Sequence, residues 1–144
     1  MSPPYGELAV IDLTTRELVW RRPVGTARDL GPLGMRSRLP LPMGVFIRAG
    51  TVVTAGGLVF TAGVADRRLR AFDVLTGEEL YSADIPTAAE ATPMSYVSPI
   101  TKRQTVLVTL PGSSELEMAH AERAGNPDSA EAAGGYVIAY RLAD

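Results

Sequence analysis

"LRAFDVLTGEELY", residues 69 to 81, decides how this chain is built. Leu69 to Phe72 alternate in size and polarity with the period of two that a strand requires. Asp73 closes the run. Thr76-Gly77 supplies turn chemistry, because glycine takes a positive φ without steric cost and threonine bonds locally to the backbone. Glu78 to Tyr81 opens a return strand. Taken alone, this is one β-hairpin. The pattern returns in "LAVIDLTTRELVW", residues 8 to 20, where Asp12 falls on Asp73, Thr15 on Thr76, Arg16 on Gly77 and Trp20 on Tyr81. "YVIAYRL", residues 136 to 142, is a third, incomplete copy, with Ala139 on Ala71, Tyr140 on Phe72 and Arg141 at the aspartate position. A recurring supersecondary unit implies a stackable architecture. The copies lie 61 (73 − 12) and 68 (141 − 73) residues apart. Propeller blades repeat at roughly 40 to 50 residues, so insertions are expected, and two long loops, 25 to 50 and 111 to 134, supply them.

Composition agrees with a β protein and excludes several functions. The 144 residues suffice for a single domain with its own core. Fourteen glycines and eleven prolines make turns frequent. A net charge of −2 gives no reason to expect a nucleic acid or an anionic membrane as partner. Without cysteine there is no disulfide, thiolate metal site or cysteine nucleophile. No apolar run reaches the ~18 residues of a membrane span, and "MSPPYGELAV" is not a signal peptide. The first strand begins almost at once, as expected of a sector of a larger structure.

Nine strands are expected, near 6–12, 17–23, 51–54, 57–62, 68–74, 79–84, 93–98, 104–110 and 135–142. Residues 115–124 carry good helix formers, but glycine and proline follow immediately. Grouped four to a blade, the strands make an all-β partial propeller. The middle blade is complete, the first has only its third and fourth strands, and the last has its first three. Tight turns ("LTTR", "AGG", "LTG", "PITKR") fall at one end of the sheets. The elaborate connections (25–50, 63–67, 85–92, 111–134) fall at the other, where function on a rigid β scaffold usually resides. Incomplete blades leave faces for the remaining blades of a ring, or for self-association, to cover.

The Ala-x-Asp-x-x-Thr-Gly-x-x-x-Trp pattern at 71–81, with Tyr81 for Trp, and at 10–20, with Arg16 for Gly, resembles the tryptophan-docking repeat of quinoprotein dehydrogenases. A longer run is similar to the C-terminal end of the membrane-bound pyrroloquinoline quinone (PQQ) dehydrogenases of the glucose and quinate/shikimate type. It comprises "VGTARDLGPLGMRSRLPLPMG" (24–44), "GGLVFTAGVADRRLRAFDVLTGEELY" (56–81), "PMSYVSP" (93–99) and "GGYVIAYRL" (134–142). The resemblance implies a periplasmic, inner-membrane-associated eight-bladed propeller. Such an enzyme holds PQQ and a divalent metal, calcium or magnesium, oxidises a sugar or cyclic polyol, and passes electrons to ubiquinone. The quinone carries the redox chemistry and the protein supplies position and electrostatics. In the family the catalytic base and metal ligands come from earlier blades, so none is assigned to this chain. By itself the chain is expected neither to turn over substrate nor to bind PQQ tightly. The alternative is a non-enzymatic propeller-like scaffold with the same repeat; a third reading is an inactive remnant.

The resemblance places Asp66, in "GVAD", on a cofactor-facing turn, with Val64 and Ala65 replacing polar residues of the family. Without it, Asp66 is an aspartate in a tight turn. Arg70 is the second cofactor-side candidate; read from its strand alone, it is a solvated arginine. Asp29, Arg36 and Arg38 lie in the long loop expected to overhang the substrate mouth, where arginine clamps carboxylates bidentately. His120, the only histidine, lacks a partner motif and reads as a solvated loop residue.

Overall fold

In the computed structural model, residues 3–29, 39, 41–112 and 135–141 are described. They form nine strands: β1 (Glu7–Asp12), β2 (Glu17–Pro23), β3 (Thr51–Val53), β4 (Leu58–Thr61), β5 (Arg68–Asp73), β6 (Glu79–Asp84), β7 (Met94–Val97), β8 (Gln104–Leu110) and β9 (Tyr136–Arg141). All pairings are antiparallel, in sheets β1-β2, β3-β4-β5-β6 and β7-β8-β9. The two-four-three grouping is the one expected from the repeat. The helix formers at 115–124 lie outside the described residues.

The central sheet is buried on both faces, which is why β4 is apolar at three of its four positions and β5 buries four consecutive residues, Leu69 to Phe72. Val59 and Phe72 point towards the first sheet and pack with Val24, Val45 and Val64; Leu8, Val10 and Trp20 close that cluster. Phe60, Ala62 and Leu69 point the other way and meet Val106, Val108 and Leu110 of β8, with Ile138 and Tyr140 of β9 beside them. Two layers of apolar side chains therefore join three sheets face to face. At about 25 cal/mol per Å² of apolar surface removed from water, these layers carry the fold.

The repeat positions are equivalent in three dimensions. Val10 pairs with Trp20 and a bulge follows between Val10 and Ile11; Ala71 pairs with Tyr81 and a bulge follows between Ala71 and Phe72. Both turns are built alike. Asp12 Oδ1 accepts the N–H groups of Thr14 and Thr15 at 2.7 and 3.2 Å, and Asp73 Oδ1 accepts those of Leu75 and Thr76 at 2.8 Å each. Trp20 docks on the next sheet's turn. Its Nε1–H donates to the Val74 carbonyl at 2.9 Å, and its ring lies 6.3 Å from that of Phe72. A Cβ on Gly77 would stand 2.7 Å from the indole. Tyr81 does not share this environment. It is 48% exposed, against the burial expected of a docking aromatic, because no equivalent turn follows β9 among the described residues. It lies within electrostatic reach of Tyr140, whose hydroxyl pKa is pushed up by burial and by Tyr81.

Part of the long 25–50 connection is a strap rather than an overhang. Val45 N–H donates to Val24 O at 2.9 Å, Arg48 N–H to Gly63 O at 2.7 Å, and Ala65 N–H to Phe46 O at 2.9 Å. Bridges join Thr26 to Pro42 and Ile47 to Val64. Val45 is as buried as Val59 of β4 and Phe72 of β5. The strap thus ties the first sheet to the β4–β5 turn at the elaborate-loop end.

Candidate functional site

Asp66 sits in the β4–β5 turn, and Arg70 two residues into β5. Thr61 and Ser82 flank Arg70 across the sheet. That register turns Arg70 to the Phe72 face, inside the contact with the first sheet. The sequence reading of a solvated arginine is therefore wrong for this residue: its side chain is nearly inaccessible, as is that of Asp66. The two form a bidentate pair. Arg70 Nη1 donates to Asp66 Oδ1 at 2.8 Å, and Nη2 donates to Asp66 Oδ2. Burying either charge alone costs several kcal/mol, which the pairing offsets.

Two further residues complete the cluster, and sequence reasoning missed both. Thr26, at the start of the long connection, donates its backbone N–H to Asp66 Oδ2 at 2.9 Å, with its hydroxyl at 3.5 Å. Glu79 Oε2 lies 3.5 Å from Arg70 Nε. Thr26 is 40 residues from Asp66, so no local signal marks it. Glu79 reaches Arg70 only because the β5–β6 bulge shifts its register. Thr61 is also buried against this row, and its Oγ1 has no hydrogen-bond partner among the described residues.

The cluster holds two carboxylates and one guanidinium. All three guanidinium nitrogens face carboxylates, and both oxygens of Asp66 accept from protein donors. The buried pair therefore offers no exposed base and no free donor for a ligand's carboxylate; Glu79, at the edge of the cluster, keeps its carboxylate partly open to solvent. What it does is lock the first residues of the long connection onto the β4–β5 turn. Among the described residues, no group of three His, Cys, Asp or Glu stands close enough to hold a metal ion. Asp29 ends a short 3-10 turn, Ala27–Asp29. Arg36, Arg38 and His120 lie outside the described residues. A second feature is an open groove of about 440 Å³ along β2, lined by Trp20, Arg22, Pro23, Pro42 and Gly77 among others. Arg22 is already committed there: it donates to the Gly77 carbonyl and stacks 5.2 Å above the Phe72 ring.

Sheets of this kind, joined by an aromatic docked on a Thr-Gly turn, define a sector of a quinoprotein-type β-propeller. Residues 1–106 match the family model described as glucose/ethanol/alcohol dehydrogenase, beta-propeller domain, of the PQQ type. The chain belongs to the PQQ-dependent dehydrogenase propeller family. It is 43% identical over 143 residues to a probable quinate dehydrogenase (quinone) of Xanthomonas campestris pv. juglandis. It is 41% identical over 141 residues to the quinate/shikimate dehydrogenase (quinone) of Acinetobacter baylyi. To the quinoprotein glucose dehydrogenase of Escherichia coli K12 it is 32% identical over 143 residues. These alignments cover 98 to 99% of this chain but only 16% of each relative. Among solved structures, a europium-containing methanol dehydrogenase superposes with a TM-score of 0.56 at 21% identity, over 94% of this chain and 23% of that one. That likeness speaks to the fold alone.

Proposed function

We propose that the chain is one sector of a PQQ-dependent dehydrogenase that oxidises a cyclic polyol of the quinate class, with ubiquinone as electron acceptor, on the periplasmic side of the inner membrane. The observation that carries this reading is the 41 to 43% identity to two quinate dehydrogenases over almost the whole chain. The glucose enzyme is similar at a lower 32%. Bound in the intact enzyme, the quinone would accept the substrate's electrons beside a calcium or magnesium ion. Asp66 and Arg70, the cofactor-side candidates, are paired with one another. Their proposed contribution is to position. The pair, with Thr26, fixes the β4–β5 turn and the root of the 25–50 connection at the cofactor-side end. Asp29, Arg36 and Arg38 belong to that connection and are proposed to border the substrate mouth.

The test is complementation. A quinate dehydrogenase relative, truncated of its matching segment, is co-expressed with this chain and supplied with PQQ and calcium or magnesium. Dye reduction dependent on quinate is the expected result. If the relative's own segment restores turnover and this chain, folded and soluble, does not, the chain is no sector of such an enzyme.

A further inference from the structure

The contact between the first and second sheets is built mainly from apolar side chains, with one polar seam. Thr61 of β4, Arg70 of β5 and Ser82 of β6 are cross-strand partners and share the face of the central sheet turned to the first. Asp66 and Glu79 hold Arg70, but the hydroxyls on either side of it are not held. Thr61 is 1% exposed. Its Oγ1 and Ser82 Oγ are both shut off from solvent, and neither has a hydrogen-bond partner among the described residues. A buried hydroxyl left without a partner costs free energy that native folds avoid. Arg68 Nε, another buried atom of this kind, differs, because it stands 3.1 Å from Asp84 Oδ1 in a pair open to solvent. We propose that the seam is a water-binding site, with one internal water held between Thr61 and Arg70 and a second between Ser82 and Arg70. This does not depend on the proposed activity.

Donor arithmetic supplies each water with partners. A guanidinium carries five N–H groups. One on Nη1 and one on Nη2 meet Asp66, and that on Nε faces Glu79. Two remain, one on each Nη, sealed between the sheets from any ligand's carboxylate. Glu79 belongs to β6, so the Nε–Nη2 edge is turned to β6 and Ser82, and the opposite Nη1 edge to β4 and Thr61. Each hydroxyl therefore has one uncommitted N–H on its own side. Asp66 cannot serve the hydroxyls instead, since its Oδ2 already accepts Arg70 Nη2 and the Thr26 N–H. Threonine and serine are short beside arginine, and packed sheets stand about 10 Å apart, which leaves room over each hydroxyl of the size one water fills. A water that accepts the N–H and donates to the hydroxyl oxygen makes two hydrogen bonds, within the two to four usual for internal water. On the β6 side the partly open Glu79 carboxylate offers a third. Charge selects the occupant: the guanidinium excludes a metal cation and the two carboxylates exclude an anion, so a small neutral molecule that both donates and accepts is left.

The test is water-oxygen magnetic relaxation dispersion of the 144-residue chain, which detects waters held for longer than the protein takes to tumble. Thr61→Val and Ser82→Ala remove the hydroxyls with little change of shape, and each should lower the dispersion amplitude by one water. Thr61→Ser keeps a hydroxyl and should keep the parent's amplitude. Stability gives a second readout whose sign decides. A hydroxyl bonded to water is missed when removed, so Thr61→Val should raise the unfolding constant about fivefold in urea titration. Removal of a hydroxyl that bonds to nothing would lower that constant. A parent without dispersion, an amplitude unchanged in Thr61→Val or in Ser82→Ala, or a Thr61→Val chain more stable than the parent overturns the proposal. Should Thr61→Val fail to fold, the amplitudes of the parent, Thr61→Ser and Ser82→Ala still decide it.

Discussion

At the scale of single residues, Gly77 and Arg16 occupy the same place in the repeat under opposite constraints. Both have positive φ, 71° and 63°. Gly77 must lack a Cβ because the Trp20 ring lies over it, whereas no indole covers Arg16 among the described residues. Gly77→Ala should therefore destabilise far more than its backbone conformation alone explains. Trp20→Ala should cost about 3 kcal/mol through lost packing and the lost bond to Val74. Arg16→Gly should do the reverse and stabilise by about 0.5 to 1 kcal/mol, since it relieves a left-handed non-glycine residue at some cost in chain entropy. Urea titration of the three variants checks all of this. A Gly77→Ala curve that overlays the parent would show that the indole is not docked as described.

At the scale of elements, two kinds of turn behave differently. The β4–β5 turn holds a buried ion pair, where losing one partner is worse than losing both. Arg70→Met should cost about 3 to 5 kcal/mol by stranding the Asp66 carboxylate, and the double variant Asp66→Leu/Arg70→Met should recover part of the loss. Equal stability of single and double variants in the same titration would mean that the pair is not coupled. The hairpin turns are exposed and respond to acid. N–H groups, led by that of Thr14 for Asp12 and that of Thr76 for Asp73, hold both carboxyls below their usual value of 3.8. A depressed folded pKa contributes stability that is complete above the unfolded carboxylate range and lost as pH falls through the folded value. Unfolding free energy should thus lose this contribution below about pH 4, and Asp73→Asn should flatten that acid limb.

At the scale of the molecule, the three sheets of the described residues present two outer faces and no closed ring. Catalysis and tight cofactor binding need groups converging from several sides. Even if a single sector gave one or two charge-assisted hydrogen bonds, each would be worth only about 1.5 to 3 kcal/mol. Micromolar affinity requires about 8 kcal/mol. Titration calorimetry of the chain with PQQ and calcium or magnesium should therefore show no saturable micromolar binding, and sugars and cyclic polyols should reduce no dye. Saturable binding would mean that copies assemble a complete site across their exposed faces.

Strands, turns and their grouping could be read from the residues because each depends on local chemistry. Period-two alternation and the Asp-x-x-Thr-Gly turn are written within a dozen positions, and the second copy at 8–20 turned a hairpin into a repeat. The environment of each side chain was settled only in three dimensions. Arg70 is solvated or buried according to which sheet covers its face. Thr26 meets Asp66 because the strap at 41–48 draws distant backbone together. Trp20 and Tyr81 hold the same register, yet one is docked and the other is half exposed, since only the first has a turn from the next sheet beneath it. A strand's own letters specify its pleat; what lies against that pleat is chosen by residues far along the chain, through packing that no local pattern encodes.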